Sequence, residues 1–89
     1  MVHAMITHDV QDFDAWKPHF DAGAAAREGA GIRVHAIYRG ADNPNRITMH
    51  SEADSAEAFQ SFFSNPELGK TMASAGVLSR PEVTLLHKI

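Results

Sequence analysis

Histidine is the residue type through which this chain could do chemistry. There are six histidines in 89 residues, namely His3, His8, His19, His35, His50 and His87. An imidazole can exchange a proton near neutral pH or bind a metal ion. The spacing argues against a metal site, since the chain has no cysteine, no His-x-His pair and no His-x-x-x-His pair. We therefore expect no tightly bound metal and no cofactor, with a site assembled across separate strands left as the alternative.

His8 is the first candidate for a catalytic residue. It follows Val2, Ala4 and Ile6 in an alternating apolar pattern, which predicts that it shares one strand face with them. If that face meets the helices, His8 lies at the rim of a cavity beside Trp16, where it could act as a general acid or base. The alternative is a structural histidine that bonds the turn at residues 12–14. Carboxylates in that turn would favour the charged imidazole, and burial would favour the neutral one.

His50 is the second catalytic candidate. Strand alternation places it on the opposite face from Met49 and near Glu52, and a histidine paired with a carboxylate suits base catalysis. The alternative is a histidine that is exposed or lies in a dimer interface.

Aromatic residues supply the candidates for substrate binding. Most of them must pack in the core, as large apolar side chains usually do. A few could line a cavity, and Trp16 and Tyr38 are favoured because each joins a polar group to an apolar ring. We expect the cavity to be bounded by Trp16, Phe20 and Tyr38, and we include Phe59 among the substrate-binding residues.

Four strands and two helical regions must position these side chains. The predicted strands cover residues 2–10, 32–39, 46–52 and 82–89, and the helical regions follow the first and third strands. In the first helical region, Pro18 predicts a short turn at Phe13–Trp16 and then the main helix, with Pro18 in its first turn. In the second, Asp54–Glu57 begins a helix and Asn65-Pro66 restarts it. The order β-α-β-β-α-β predicts an α+β, ferredoxin-like sandwich, with residues 1–89 as a single domain.

The sheet face away from the helices is predicted to bind a second copy of the chain. The predicted register puts Met5, Ile37 and Leu86 on this face beside His3, with Val34, Ala36 and Tyr38 on the other side of the second strand. So much apolar area is seldom left in water. We therefore expect a homodimer.

Composition limits the other partners. The net charge of −3 disfavours nucleic acid, and no apolar stretch approaches the ~20 residues that a membrane span needs. The N-terminal residues lack a signal-peptide pattern, so the expected compartment is cytoplasmic.

The segment His8–Lys17 (HDVQDFDAWK) resembles the opening of small bacterial dimeric α/β-barrel proteins of the antibiotic-biosynthesis-monooxygenase-like superfamily. Tyr38-Arg39 with Asp42–Asn45, and later Asn65–Leu68, are similar to further segments of the same proteins. The resemblance implies two sheets packed face to face in a dimer, with a pocket between sheet and helices in each protomer. Such proteins include cofactor-free oxygenases, cyclases and isomerases. We therefore expect an enzyme of this kind that acts on a small apolar or aromatic substrate, and our hypothesis adds a histidine as its acid or base. The alternative is a non-catalytic protein of the same fold that binds a small ligand.

Overall fold

Four strands and four helices make up the chain. The computed structural model describes all 89 residues, Met1–Ile89. No helix in it has the length and apolarity that a membrane crossing requires. The elements in chain order are β1 (Val2–Asp9), α1 (Phe13–Ala22), α2 (Ala24–Gly29), β2 (Arg33–Arg39), β3 (Arg46–Ala53), α3 (Ala56–Ser64), α4 (Pro66–Ser74) and β4 (Glu82–Leu86). The predicted α+β order is confirmed, and each predicted helical region is divided in two.

The strands form one antiparallel sheet in the order β2-β3-β1-β4, with helices on one face. This is the strand order of a ferredoxin-like sandwich. Residues of β1 alternate between buried and half-buried along the whole strand, as the apolar alternation predicts. The core lies between this sheet face and the helices, and its largest fully buried side chain is Phe59 of α3.

Side chains cap the N-termini of three of the four helices. Asp12 accepts a hydrogen bond from the Ala15 backbone N–H at 3.1 Å, and Ser55 caps α3 in the same way. Asn65 caps α4 with Pro66 in its first position, as predicted.

The prediction for Pro18 is wrong. Helix α1 runs through it from Phe13, and the break comes at Gly23. Proline removes one hydrogen bond inside a helix. Contacts of the Trp16 ring with Phe13 and Phe20, which lie on either side of Pro18, favour the continuous helix.

A bulge in β2 changes which of its side chains face the helices. Val34 pairs with Ser51 and Ala36 pairs with His50, so His35 is an extra residue in this strand. Because one extra residue reverses the alternation, Ile37 faces the core opposite Met49, and Tyr38 faces outwards. The predicted outward position of Ile37 is therefore wrong, as are the predicted inward positions of Ala36 and Tyr38.

Strand β4 lies at the edge of the sheet and ends earlier than predicted, at Leu86. All five of its residues are exposed. Leu86 pairs with His3 and lies on the outer face with Met5, as predicted. Val83 and Leu85 point towards the helix side but remain uncovered.

Candidate functional site

A cavity of about 420 Å³ lies between the sheet and the helices. Most of its lining is apolar. The sheet contributes Ile6, Val34 and Met49, and the helices enclose it from two sides. The helical side chains that line it include Trp16, Phe20, Phe62, Phe63, Leu68 and Met72. A cavity of this size suits a small molecule.

His8 lies in the wall of this cavity at the end of β1, and it is only 5% exposed. Its ring meets Trp16 edge-on, with 5.5 Å between the ring centroids. Nδ1 is buried without a hydrogen-bond partner of regular geometry, which leaves Nε2 as the nitrogen that can reach a ligand. The predicted structural alternative, a hydrogen bond from His8 to the turn at residues 12–14, is not formed, and Asp12 of that turn caps α1.

Burial lowers the pKa of His8 below its ordinary value of 6.5. The charge of Asp9 and a polar contact with the backbone of His8 offset part of this effect. The carboxylates of the turn at residues 12–14, which we expected to favour the charged imidazole, do not contribute to this change in the pKa of His8. His8 is therefore neutral at pH 7 and holds a free lone pair, which is the state that a general base needs.

Three aromatic rings lie in a row along α1, each tilted against the next. Trp16 lies 5.8 Å from Phe13 and 5.0 Å from Phe20, measured between ring centroids. Their spacing of three and four residues puts them on one side of the helix. Trp16 and Phe20 line the cavity where the sequence places them.

Two of the predicted substrate-binding residues lie elsewhere. Tyr38 is 54% exposed and faces away from the helices, because of the bulge at His35. Phe59 is 1% exposed and packs in the core without lining the cavity. The expectation that Tyr38 borders the cavity is therefore wrong.

Arg27 is a cavity residue that the sequence reasoning did not select. Its guanidinium lies 3.8 Å above the centre of the Phe20 ring, and its Nη1 donates a hydrogen bond to the Phe20 carbonyl at 2.8 Å. Burial lowers the pKa of Arg27, and Asp21 partly opposes this. The available signal was an arginine seven residues after Phe20, on the same apolar stripe of the helical pattern.

His50 belongs to a second group of histidines on the outer face of the sheet. Its Nε2 lies 2.9 Å from Nδ1 of His3. Glu52, predicted as its neighbour, instead accepts hydrogen bonds from His35 at 2.7 Å and from Arg33 at 3.0 Å. Both bonds lower the pKa of Glu52, and the bond from His35 has the larger effect. His50 and His8 thus lie on opposite faces of the sheet and do not share a site.

No group of three or more histidine, aspartate or glutamate side chains has the geometry of a metal site. The outer group is two hydrogen-bonded pairs, His3 with His50 and His35 with Glu52.

Comparison with known proteins places the fold. No protein-family model matches the chain, and no curated protein matches it in sequence. By structure it is similar to a provisionally assigned antibiotic biosynthesis monooxygenase from Bordetella bronchiseptica, with a TM-score of 0.79 and 15% identity over 99% of this chain and 96% of that one. A provisionally assigned antibiotic biosynthesis monooxygenase from Caulobacter crescentus matches with a TM-score of 0.74 and 15% identity, over 99% and 89% of the two chains. A protein from Mycobacterium tuberculosis matches with a TM-score of 0.65 and 19% identity, over 100% and 96%. The chain therefore has the ferredoxin-like fold of antibiotic-biosynthesis-monooxygenase-like proteins, as the resemblance in its sequence predicts.

Proposed function

We propose that this protein is an enzyme of the cofactor-free oxygenase, cyclase or isomerase kind. Its substrate is a small apolar or aromatic molecule that binds in the cavity, and His8 is its general base. The observation that carries this proposal is a desolvated imidazole, free of protein hydrogen bonds of regular geometry, in the wall of an apolar cavity.

The first chemical step is removal of a proton by His8. A phenol O–H or a C–H beside a carbonyl is acidic enough to lose a proton to an imidazole held against it. The resulting imidazolium is stabilised by the charge of Asp9, which favours the protonated form. The electron-rich anion left behind can react with dioxygen, close a ring or accept a proton at another carbon. The three reaction classes thus begin in the same way.

Trp16 and Phe20 orient the substrate. Their rings contact each other and line the cavity, and Trp16 also contacts His8. A flat ring stacked on this wall would be held against the base in few orientations, which raises the rate of proton transfer. His50 lies across the sheet, so the proposal assigns proton transfer to His8 alone.

The test is a screen of phenols, aromatic acids and 1,3-dicarbonyl compounds, followed by oxygen consumption and mass spectrometry of the products. For any compound that is turned over, His8→Gln should lower kcat/KM by a factor on the order of 10² or more while the fold is retained. His50→Gln is the matched control and should leave the rate unchanged. In the wild type, kcat/KM should rise with pH through a value below 6.5, because the neutral imidazole is the active form.

Two results would contradict parts of this proposal. Equal rates for His8→Gln and the wild type would remove His8 from the mechanism. Tight binding of screened compounds without any turnover would instead support the alternative, a non-catalytic ligand-binding protein of the same fold.

We also propose that the protein is a homodimer. Strand β4 is an edge strand with Val83, Leu85 and Leu86 each 37–42% exposed, and edge strands of this kind invite further pairing. The outer sheet face adds Met5 and the exposed Tyr38. Light scattering at micromolar concentration should give twice the mass of the 9.7 kDa chain, and Leu86→Glu should shift it towards the monomer. A monomeric wild type at that concentration would contradict this proposal.

A further inference from the structure

We propose that Arg27 is the anion-binding residue of the cavity, and that the ligand carries a carboxylate or a similarly placed acidic oxygen beside its aromatic ring. The inference rests on the proposed function only in using the same cavity, and it narrows the substrate class from apolar aromatic compounds to aromatic acids.

No negatively charged side chain around the cavity pairs with Arg27. Arg27 forms no salt bridge with a carboxylate; Asp21, whose charge acts on Arg27 from farther away, pairs with Lys17 at 2.7 Å. Glu67, the carboxylate in the cavity lining, is exposed and lies 3.7 Å from Lys70. A half-buried guanidinium is usually compensated by an anion. A carboxylate in the cavity would supply the missing charge.

The guanidinium is also held in a fixed position. Its stacking on Phe20 and its bond to the Phe20 carbonyl use one face and one of its N–H groups. Gly23 makes room for it, since a Cβ there would lie 3.1 Å from Nη1 of Arg27. A guanidinium has five N–H donors in a fork that matches a carboxylate, and the bond to Phe20 leaves four of them unused.

The position of Arg27 relative to His8 supports the same ligand. Contacts run in order from Arg27 to Phe20, from Phe20 to Trp16 and from Trp16 to His8, at 3.8, 5.0 and 5.5 Å. An acid group bound at Arg27 would lay the attached ring along Phe20 and Trp16. The far end of the ligand would then meet the base.

The experiment compares 2-naphthoate with 2-naphthamide by isothermal titration calorimetry at pH 7. The two probes share ring and shape and differ in charge. The wild type should bind naphthoate about ten- to hundredfold more tightly, as charge-assisted hydrogen bonds to a partly buried arginine require. Arg27→Met, which keeps the apolar stem, should weaken the binding of naphthoate by that factor and should change the affinity for naphthamide by no more than about threefold.

Arg39→Met is the matched control. Arg39 also stacks on a phenylalanine, at 4.0 Å from the centre of Phe13, and also bonds a backbone carbonyl, but it does not line the cavity. This variant should keep the preference for naphthoate.

The outcomes separate the two proposals. Equal binding of both probes to the wild type would overturn the role of Arg27 and leave the enzyme proposal standing, and this comparison needs no variant that must fold. Loss of the preference in Arg39→Met as well as in Arg27→Met would overturn the role of Arg27. Failure of both probes to bind would overturn this inference and count against the cavity as a ligand site. A clear preference for naphthoate in a protein without turnover would support Arg27 while the catalytic role of His8 fails.

Discussion

His8 should make the stability of the protein depend on pH in a defined direction. The change to test is His8→Leu, which removes the titrating group and keeps a side chain of similar bulk in the apolar wall. In the unfolded chain His8 binds a proton around its ordinary value of 6.5, whereas burial lowers its pKa in the fold. Below 6.5 the unfolded state therefore binds more protons than the folded state. Stability due to His8 is present above 6.5 and is lost as the pH falls from 6.5 towards the lowered value in the fold.

The size of this effect follows from the proton balance. A difference of one bound proton changes the free energy of unfolding by about 1.4 kcal/mol per pH unit. With an unfolded value of 6.5, the loss between pH 7.5 and pH 5.5 can reach at most about 1.4 kcal/mol. Asp9 offsets part of the lowering, so we expect a loss on the order of 1 kcal/mol or somewhat less.

Urea unfolding followed by the fluorescence of Trp16, the single tryptophan, measures this directly. Trp16 is 3% exposed, so its emission should change strongly on unfolding. The other five histidines are common to both proteins, so the difference between their pH profiles isolates His8. His8→Leu should lose less stability than the wild type between pH 7.5 and 5.5. A variant that lacks the exposed His87 instead should keep the pH dependence of stability that the wild type shows. Identical profiles for His8→Leu and the wild type would refute the assignment of His8 as a buried neutral base.

Three further predictions concern the fold that holds the site. Phe59→Ala should lower the free energy of unfolding by about 3–5 kcal/mol, because the ring is 1% exposed in the core; a loss below about 1 kcal/mol in urea unfolding would contradict its place there. Asp12→Ala should cost about 1 kcal/mol through the lost cap of α1, and Asp12→Asn, which keeps an acceptor for the Ala15 N–H, should restore most of it. An NMR titration should give Glu52 a pKa below its ordinary value of 4.5, and Arg33→Met should raise this pKa. No change in Arg33→Met would show that the Arg33 hydrogen bond has no effect. The stability that the Glu52 carboxylate contributes is present above pH 4.5 and is lost as the pH falls through its lowered pKa.

The part of the site that lies on β1 and α1 could be predicted from the sequence. Alternation of Val2, Ala4 and Ile6 fixes the face of His8, because every second residue of a regular strand points the same way. The helical spacing of Trp16 and Phe20 likewise predicts that both face the sheet. These patterns need only local geometry, and the structure follows them at each of these residues.

The remaining part depends on features that leave no local pattern. The bulge at His35 is one extra residue in β2, and it moves Tyr38 out of the predicted cavity and Ile37 into the core. Nothing in the alternation of residues 32–39 marks it. The partner of His50 depends on the register between β1 and β3, which pairs Met5 with His50 and brings the neighbouring His3 within bonding distance. Residue types alone suggest Glu52, which lies on the same strand.

The two faces of the sheet give histidines opposite surroundings, and this difference determines what each group can do. On the outer face, His35 shares its carboxylate partner with Arg33, and His3 and His50 bond each other, so one ring nitrogen of each of these histidines already has a partner within the protein. On the inner face, His8 has an apolar wall on one side and open cavity on the other, and no side chain bonds its ring. A base that acts on a ligand needs a lone pair that the protein does not use, in a site that excludes water. Among the histidines on the sheet, His8 meets both conditions, and Arg27 lies at the far end of the same row of contacts, where it can fix the other end of the ligand.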